Sequence, residues 1–226
     1  KEIILNNPDI DIKFCLTWAN ETWARRWEGD DHKILQLQTH IPTKEKWKQH
    51  FDYLLPYFRD NRAILIDDKV VFIIYRPHLV DNIGDMLEYW RELAKEKGIR
   101  DFYFIAVSSF KQHNRSLIDC FDGVLLFQPH MATNTTTVKG ISVLIEDLLR
   151  RLPETWVERF RALHKKTLNK YVKHDYQTVC EVALKQKALY SPKDTYNMAF
   201  LEWDNTARYK DKSTLYSGCT PKIFEF

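Results

Sequence analysis

Residues Ile10 to Trp27, IDIKFCLTWANETWARRW, decide the fold. The stretch alternates apolar and polar side chains and then turns fully apolar at Phe14-Cys15-Leu16, the pattern of a strand entering a buried sheet. The turn at the end of that strand separates two architectures. An open doubly wound sheet often carries a glycine-rich phosphate turn at this place. Here the turn holds Trp18, Trp23 and Trp27, three of the chain's seven tryptophans. Bulky rings in place of glycines favour a barrel.

Outward from that strand the chain alternates. Lys44 to Phe58 carries apolar residues at 47, 51, 54, 55 and 58, a helical stripe with Thr43 as its cap. Ala63 to Ile66 and Val70 to Tyr75 flank the polar turn Asp67-Asp68-Lys69, which predicts a hairpin whose second arm is a buried strand. Asp81 is the expected cap of a helix to about Lys97, with Ile83, Met86, Leu87, Trp90, Leu93 and Ala94 on one face and Gly98 as its stop. Phe102 to Val107 and Gly123 to Phe127 read as strands, Asn114 to Cys120, Ile141 to Arg150 and Tyr176 to Leu189 as helices, and Asn197 to Leu201 as the last strand. Trp47 and Trp90 are expected in the core. Strands each followed by a helix imply a parallel sheet, because parallel pairs need long crossovers that then cover both faces. The predicted class is α/β, a (β/α)8 TIM-barrel-like fold, incomplete. One partial barrel domain is expected over 1–226, with an irregular insertion around 131–175 in which Thr133 to Thr137 has loop composition.

Composition narrows the function classes. A net charge of +3 comes from 34 basic and 31 acidic side chains spread along the chain, so no polybasic tail marks a nucleic-acid or membrane binder. Cysteines 15, 120, 180 and 219 form no CxxC pair, which fits a reducing cytosol and argues against structural zinc. The eight histidines are scattered, so neither a metal nor another cofactor is expected. No apolar run reaches the ~18 residues of a membrane span and no signal peptide is evident, so the expected location is cytoplasmic.

In barrels of this kind the active site collects at the carboxyl ends of the strands. Those ends read Trp18-Ala19-Asn20-Glu21, Tyr75-Arg76-Pro77, Ser108-Ser109, Gln128-Pro129-His130 and Glu202-Trp203-Asp204-Asn205. Sugars offer hydroxyls that need donors and acceptors, and apolar C–H faces that lie on aromatic rings. A rim of Trp and Tyr beside Asn, Asp, Glu, Arg and Gln therefore points to a carbohydrate ligand. Glycosidic cleavage commonly uses two carboxyl groups about 5–9.5 Å apart. Glu21 with Glu202 or Asp204 could supply them, although an ion pair with Arg25 would give Glu21 a structural role. Arg25 and Arg26 could equally brace the loop through backbone carbonyls.

The ordered segments WANETWARRWEG (18–29), HFDYLLPYFRDNRAILIDDKVVFIIYRP (50–77), MLEYWRELAKEKGI (86–99), FDGVLLFQPH (121–130), WDNTARY (203–209) and GCTPKIFEF (218–226) resemble the WbsX-type glycosyltransferase-like family, described as glycoside hydrolase family 99-like and found in bacterial surface-polysaccharide gene clusters. The resemblance spans nearly the whole chain. It implies a (β/α)8 barrel, a carbohydrate substrate, and binding or architectural roles for Trp18, Asn20, Glu21, Arg26, Tyr75, Arg76, Trp203, Asp204, Asn205 and Arg208. Glu21 is the one to test as acid or base, and the strand-end positions Gln128, His130 and Glu202 join the substrate-binding set. Family members usually open with a YYPQFHP-like strand and close on one reading like INAWNEWAEG. Neither lies in this sequence, and by resemblance the catalytic glutamates belong to that late region. An incomplete barrel would have open sheet edges that invite pairing with a second copy of the chain. The alternative is a noncatalytic carbohydrate-binding or scaffold protein.

Overall fold

The computed structural model describes residues 2–24, 34–108, 115–137, 172–185, 193–209 and 213–224. A short helix, α1 (Glu2–Asn6), precedes strand β1 (Leu16–Trp18) and a two-stranded ribbon of β2 (Trp23–Ala24) and β3 (Ile34–Gln36). Helix α2 (Lys44–Phe58) leads into the hairpin of β4 (Leu65–Ile66) and β5 (Lys69–Ile74). Helix α3 (Ile83–Glu96), strand β6 (Phe102–Ser108), helix α4 (Arg115–Asp119) and strand β7 (Gly123–Leu126) come next. Then come α5 (His130–Thr137), β8 (Val172–Asp175), α6 (Tyr176–Lys185), β9 (Asp194–Asn197), β10 (Trp203–Asp204), α7 (Thr206–Tyr209), β11 (Thr214–Ser217) and α8 (Pro221–Phe224).

The chain folds as two compact units. The first comprises Lys1–Trp23, Gln36–Leu126 and Ala188–Tyr196. Its sheet runs β1-β5-β6-β7-β9, with β4 antiparallel to β5, and the β1, β5, β6 and β7 pairings are all parallel. The architecture is therefore mixed α/β around a mainly parallel sheet, and among the described residues no barrel closes. All seven residues of β6 are buried, which is why its sequence FYFIAVS is almost continuously apolar rather than alternating. One face of the sheet meets the helices: Phe72, Phe102, Phe51, Phe58 and Trp90 meet as rings with centroids 4.9 to 6.1 Å apart, mostly edge to face. The Trp90 indole donates to the Trp47 carbonyl at 3.1 Å and so joins α3 to α2. On the other face Val71, Tyr103 and Ile105 form a cluster with Cys15, Ile73, Leu125 and Tyr196 beside them. A β-carbon on Gly123 would come within 3.0 Å of Tyr196 and 3.2 Å of Tyr103, so only glycine fits there.

Local chemistry explains the boundaries. Thr43 Oγ1 accepts from the Lys46 amide (3.4 Å) and starts α2 where expected. Asp67 and Asp68 both take positive φ, 50° and 59°, which short polar side chains tolerate and which a two-residue hairpin turn demands. The α3 cap falls one residue later than predicted, on Asn82 at φ 54° rather than on Asp81, and Gly98 at φ 64° lies just past the helix end as anticipated. The first strand also begins later: Phe14 makes a single bridge to Ala63, and pairing is continuous only from Leu16. The segment from Ile4 to Ile10 is instead tethered by Arg62, whose guanidinium donates to both Asp60 oxygens and to the carbonyls of Ile4, Asn7 and Ile10 at 2.7 to 3.0 Å. All five of its donors are engaged. These bonds hold the Asp60 carboxyl down to about 2.

The second unit comprises Ala24–Leu35, Phe127–Lys187 and Asn197–Phe226. Its sheet has the order β10-β11-β8, with β11 parallel to β8 and antiparallel to β10. Ala132 of α5, Val179 and Ala183 of α6 and Tyr216 of β11 share its core. Two expectations change here. The run Thr133–Thr137, expected as loop, continues α5, because Gln128 Oε1 accepts the Ala132 amide and Pro129 O the Thr133 amide, satisfying the donors of the first turn. The strand expected at 197–201 lies earlier, at Asp194–Asn197, and residues 198–202 have no regular structure. The helix expected over 141–150 lies outside the described residues.

Candidate functional site

The carboxyl ends of β1 and β5 are neighbours, with Trp18 in register with Ile74. The Tyr75 amide continues the pairing by donating to the Trp18 carbonyl at 3.1 Å. Just beyond, Asn20 is fully buried and bonds Arg76 twice: its amide nitrogen donates to the Arg76 carbonyl (2.8 Å) and its side-chain oxygen accepts the Arg76 amide (2.7 Å). A side-chain amide bonded this way substitutes for one more step of the parallel ladder. It fixes the turn after β1 to the turn after β5.

Glu21 pairs with Arg76. The Arg76 Nε donates to Glu21 Oε2 at 3.2 Å, and its guanidinium carbon lies 4.6 Å from the centroid of the Tyr75 ring. Arg25 and Arg26 lie outside the described residues. The Arg76 charge, after burial itself, lowers the pKa of His78 from its ordinary value.

A wall rises on this turn. Gln38 Nε2 donates to the Ala19 carbonyl (2.9 Å) and the Gln38 amide to Thr22 Oγ1 (3.3 Å). His40 Nε2 lies 2.8 Å from the Asn20 carbonyl, and since a carbonyl only accepts, that nitrogen carries the hydrogen. Between this wall, α2 and the start of α3 opens a pocket of about 380 Å³ lined by Trp18, Gln38, Thr39, His40, Ile41, Lys46, Trp47, His50, Val80 and Met86. Trp18 meets His40 and His50 edge to face, at centroid distances of 5.2 and 4.6 Å, and His50 in turn meets Trp90 at 5.2 Å.

Of the residues the sequence offered, Trp18 lines this pocket, while Asn20, Glu21, Tyr75 and Arg76 build the turns behind it. Gln38, His40, Lys46 and His50 were missed. His50 carried a signal: it lies between Trp47 and Phe51 on the inward stripe of α2, where a polar side chain needs a reason.

The later candidates belong to the second unit and serve local turns. Gln128 is 2% exposed, and its carbonyl caps α5; the Phe127 ring stacks on His130 at 5.6 Å. Glu202 Oε1 accepts the amides of Gly218 (2.7 Å) and Cys219 (3.0 Å), Asp204 Oδ1 that of Thr206 (2.7 Å) and Asn205 Oδ1 that of Thr214 (2.7 Å). The two bonds from Thr206 hold the Asp204 carboxyl below its ordinary value. Trp203 is 54% exposed, and Arg208 lies on α7. Among the described residues no group of three His, Cys, Asp or Glu side chains could hold a metal ion, and no helix is long and apolar enough to cross a membrane.

The family described as Glycosyltransferase WbsX matches residues 1–226. The chain belongs to the WbsX glycosyltransferase family. Two proteins of Xanthomonas campestris pv. campestris strains, each named "Uncharacterized protein WxcX", are 25% identical over 218 residues, which is 96% of this chain and 28% of theirs. The chain thus spans little more than a quarter of the curated relatives it matches. No solved structure matches it.

Proposed function

We propose that this WbsX-family chain acts on a glycosidic bond, as a hydrolase or a glycosyl transferase in bacterial surface-polysaccharide metabolism in the cytoplasm, with the pocket beside Trp18 as its sugar-binding site. The observation that carries the reading is the position of that pocket: it opens at the carboxyl end of β1, lined by Trp18 and by Val80 of the connection after β5, where α/β proteins place ligands, and it is walled by indoles and hydrogen-bonding side chains. The strand order advances in one direction from β1 to β7 without a reversal, which suits part of a (β/α)8 barrel better than a doubly wound sheet. The single partial barrel domain over 1–226 is proposed on that ground. Trp18 contacts sugar directly. Asn20, Tyr75 and Arg76 position it, and Glu21 exchanges a proton or orients Arg76; within the second unit, Arg26, Gln128, His130, Glu202, Trp203, Asp204, Asn205 and Arg208 are proposed as separate substrate-binding residues. Sheet edges left open by the partial barrel would pair with a second copy of the chain, and sedimentation as a compact monomer would remove that part.

Incubation with mannose-containing or bacterial polysaccharide fragments, with product analysis, tests the activity. Wild type turns them over, and Glu21→Gln loses about 10²-fold or more, the usual contribution of a general acid or base. Turnover unimpaired in Glu21→Gln removes the proton-transfer role and leaves the class. A second reading, noncatalytic carbohydrate binding, is favoured by one observation: Glu21, Glu202 and Asp204 all have their carboxylates engaged in an ion pair or in backbone bonds. Binding without turnover in both proteins would establish it.

A further inference from the structure

The pocket has a sign. Its lining contains Lys46, His40 and His50 and, among the described residues, no carboxylate. The acidic group of the adjoining turn, Glu21, faces Arg76 at 3.2 Å. Lys46 stands on the first turn of α2, and its ammonium donates to Gln49 Oε1 at 3.1 Å, which uses one of three donors on a neutral acceptor. His50 lies one turn further along the same helix and packs against Trp18. The His40 ring, held by its bond to the Asn20 carbonyl, meets Trp18 edge to face at 5.2 Å. Lys46 is exposed at the pocket's border, so its ammonium stays hydrated and can meet an acidic group that enters. A volume of about 380 Å³ sits at the lower end of the ~300–1,000 Å³ range of ligand pockets, room for one ring with its substituent.

We infer that the pocket receives an acidic sugar residue, with its carboxylate or phosphate beside Lys46 and the two imidazoles and its ring against Trp18. The inference rests on the carbohydrate reading and adds the charge of the substrate. Lysine is a compact ammonium rather than a planar fork, so it does not by itself choose between carboxylate and phosphate.

The test compares three oligosaccharides that differ only at one terminal residue, glucose, glucuronate or glucose 6-phosphate, by calorimetric titration of the full chain. At least one acidic form should bind about tenfold tighter than the neutral one, the size of a single charged hydrogen bond, and the tighter of the two identifies the acid. Lys46→Gln should abolish that ratio, whereas Lys48→Gln, on the same helix but paired with Asp52, should keep it. Raised salt should shrink the ratio in wild type. Equal binding of neutral and acidic forms, or a preference that survives Lys46→Gln with an unchanged urea midpoint, overturns the inference and leaves the carbohydrate reading standing. Binding of none of the three overturns both.

Discussion

The turn after β1 and the turn around β10 carry similar residue types, a tryptophan with amide and carboxylate beside it, and use them in opposite ways. In WANE, Asn20 reaches across the sheet to a residue 56 positions away and Glu21 to the same residue, so the polar groups join two βα units. In EWDN, Glu202, Asp204 and Asn205 bond backbone amides between 2 and 17 positions away, so the polar groups build their own loop. A long-range bond of the first kind can frame a cavity, because it fixes two chain ends whose side chains then face one space. A local bond of the second kind fixes only the turn it sits in. One motif borders a pocket; the other leaves Trp203 exposed as a bare ring.

That contrast can be broken by mutation. Asn20→Ala should have the largest effect, about 2–4 kcal/mol in urea unfolding, because it empties a fully buried side-chain site and removes both bonds that pin the part-buried NH and C=O of Arg76. A loss below about 1 kcal/mol would mean that the ladder-like bond is replaced by water and that the turn is not a rigid frame. Glu202→Ala should cost only about 1 kcal/mol, since the Gly218 and Cys219 amides it serves can turn to solvent. Trp203→Ala should leave the urea midpoint within about 0.5 kcal/mol of wild type. If the exposed ring is a sugar platform, the same variant should lose about two- to tenfold in polysaccharide affinity, and an unchanged affinity would remove Trp203 from the binding set.

The smallest effect separates the pinned first unit from simple acid unfolding. Asp60 titrates at about 2 in the folded chain against an ordinary 3.8, so its contribution to stability is complete above pH 3.8 and disappears as pH falls through about 2. Urea midpoints measured down that range should fall less steeply in Asp60→Asn than in wild type. Parallel slopes would show that the bonds Arg62 makes to Asp60 do not distinguish the folded state.

Much of the scaffold was legible in order. The stripe from Trp47 to Phe58, the unbroken apolar run of β6 and the stop at Gly98 each depend on residues within one or two turns of one another, and local sterics and burial act there directly. Boundaries were legible only to within a residue or more. Phe14 belongs by composition to the first strand, yet strand pairing waits until Leu16, because Arg62 and Lys13, which donates to the Asn61 carbonyl, hold the preceding segment by side chains instead. Thr133 to Thr137 has turn composition but continues a helix, since Gln128 supplies the cap from outside it.

The amino-acid order by itself determined that this chain makes an α/β sheet with polar and aromatic residues at its strand ends, and that it carries the ordered motifs of the WbsX family, because periodicity and motif order are properties of neighbouring residues. Which of those residues face a common space was decided only in three dimensions. Trp18 gained His40, Lys46 and His50 as neighbours, while Glu21 turned to Arg76, through contacts between segments that nothing in their spacing relates. The physical reason is that a pocket is the gap left when helices and turns pack, and its lining is set by which side chains lose the competition for the core and for backbone hydrogen bonds.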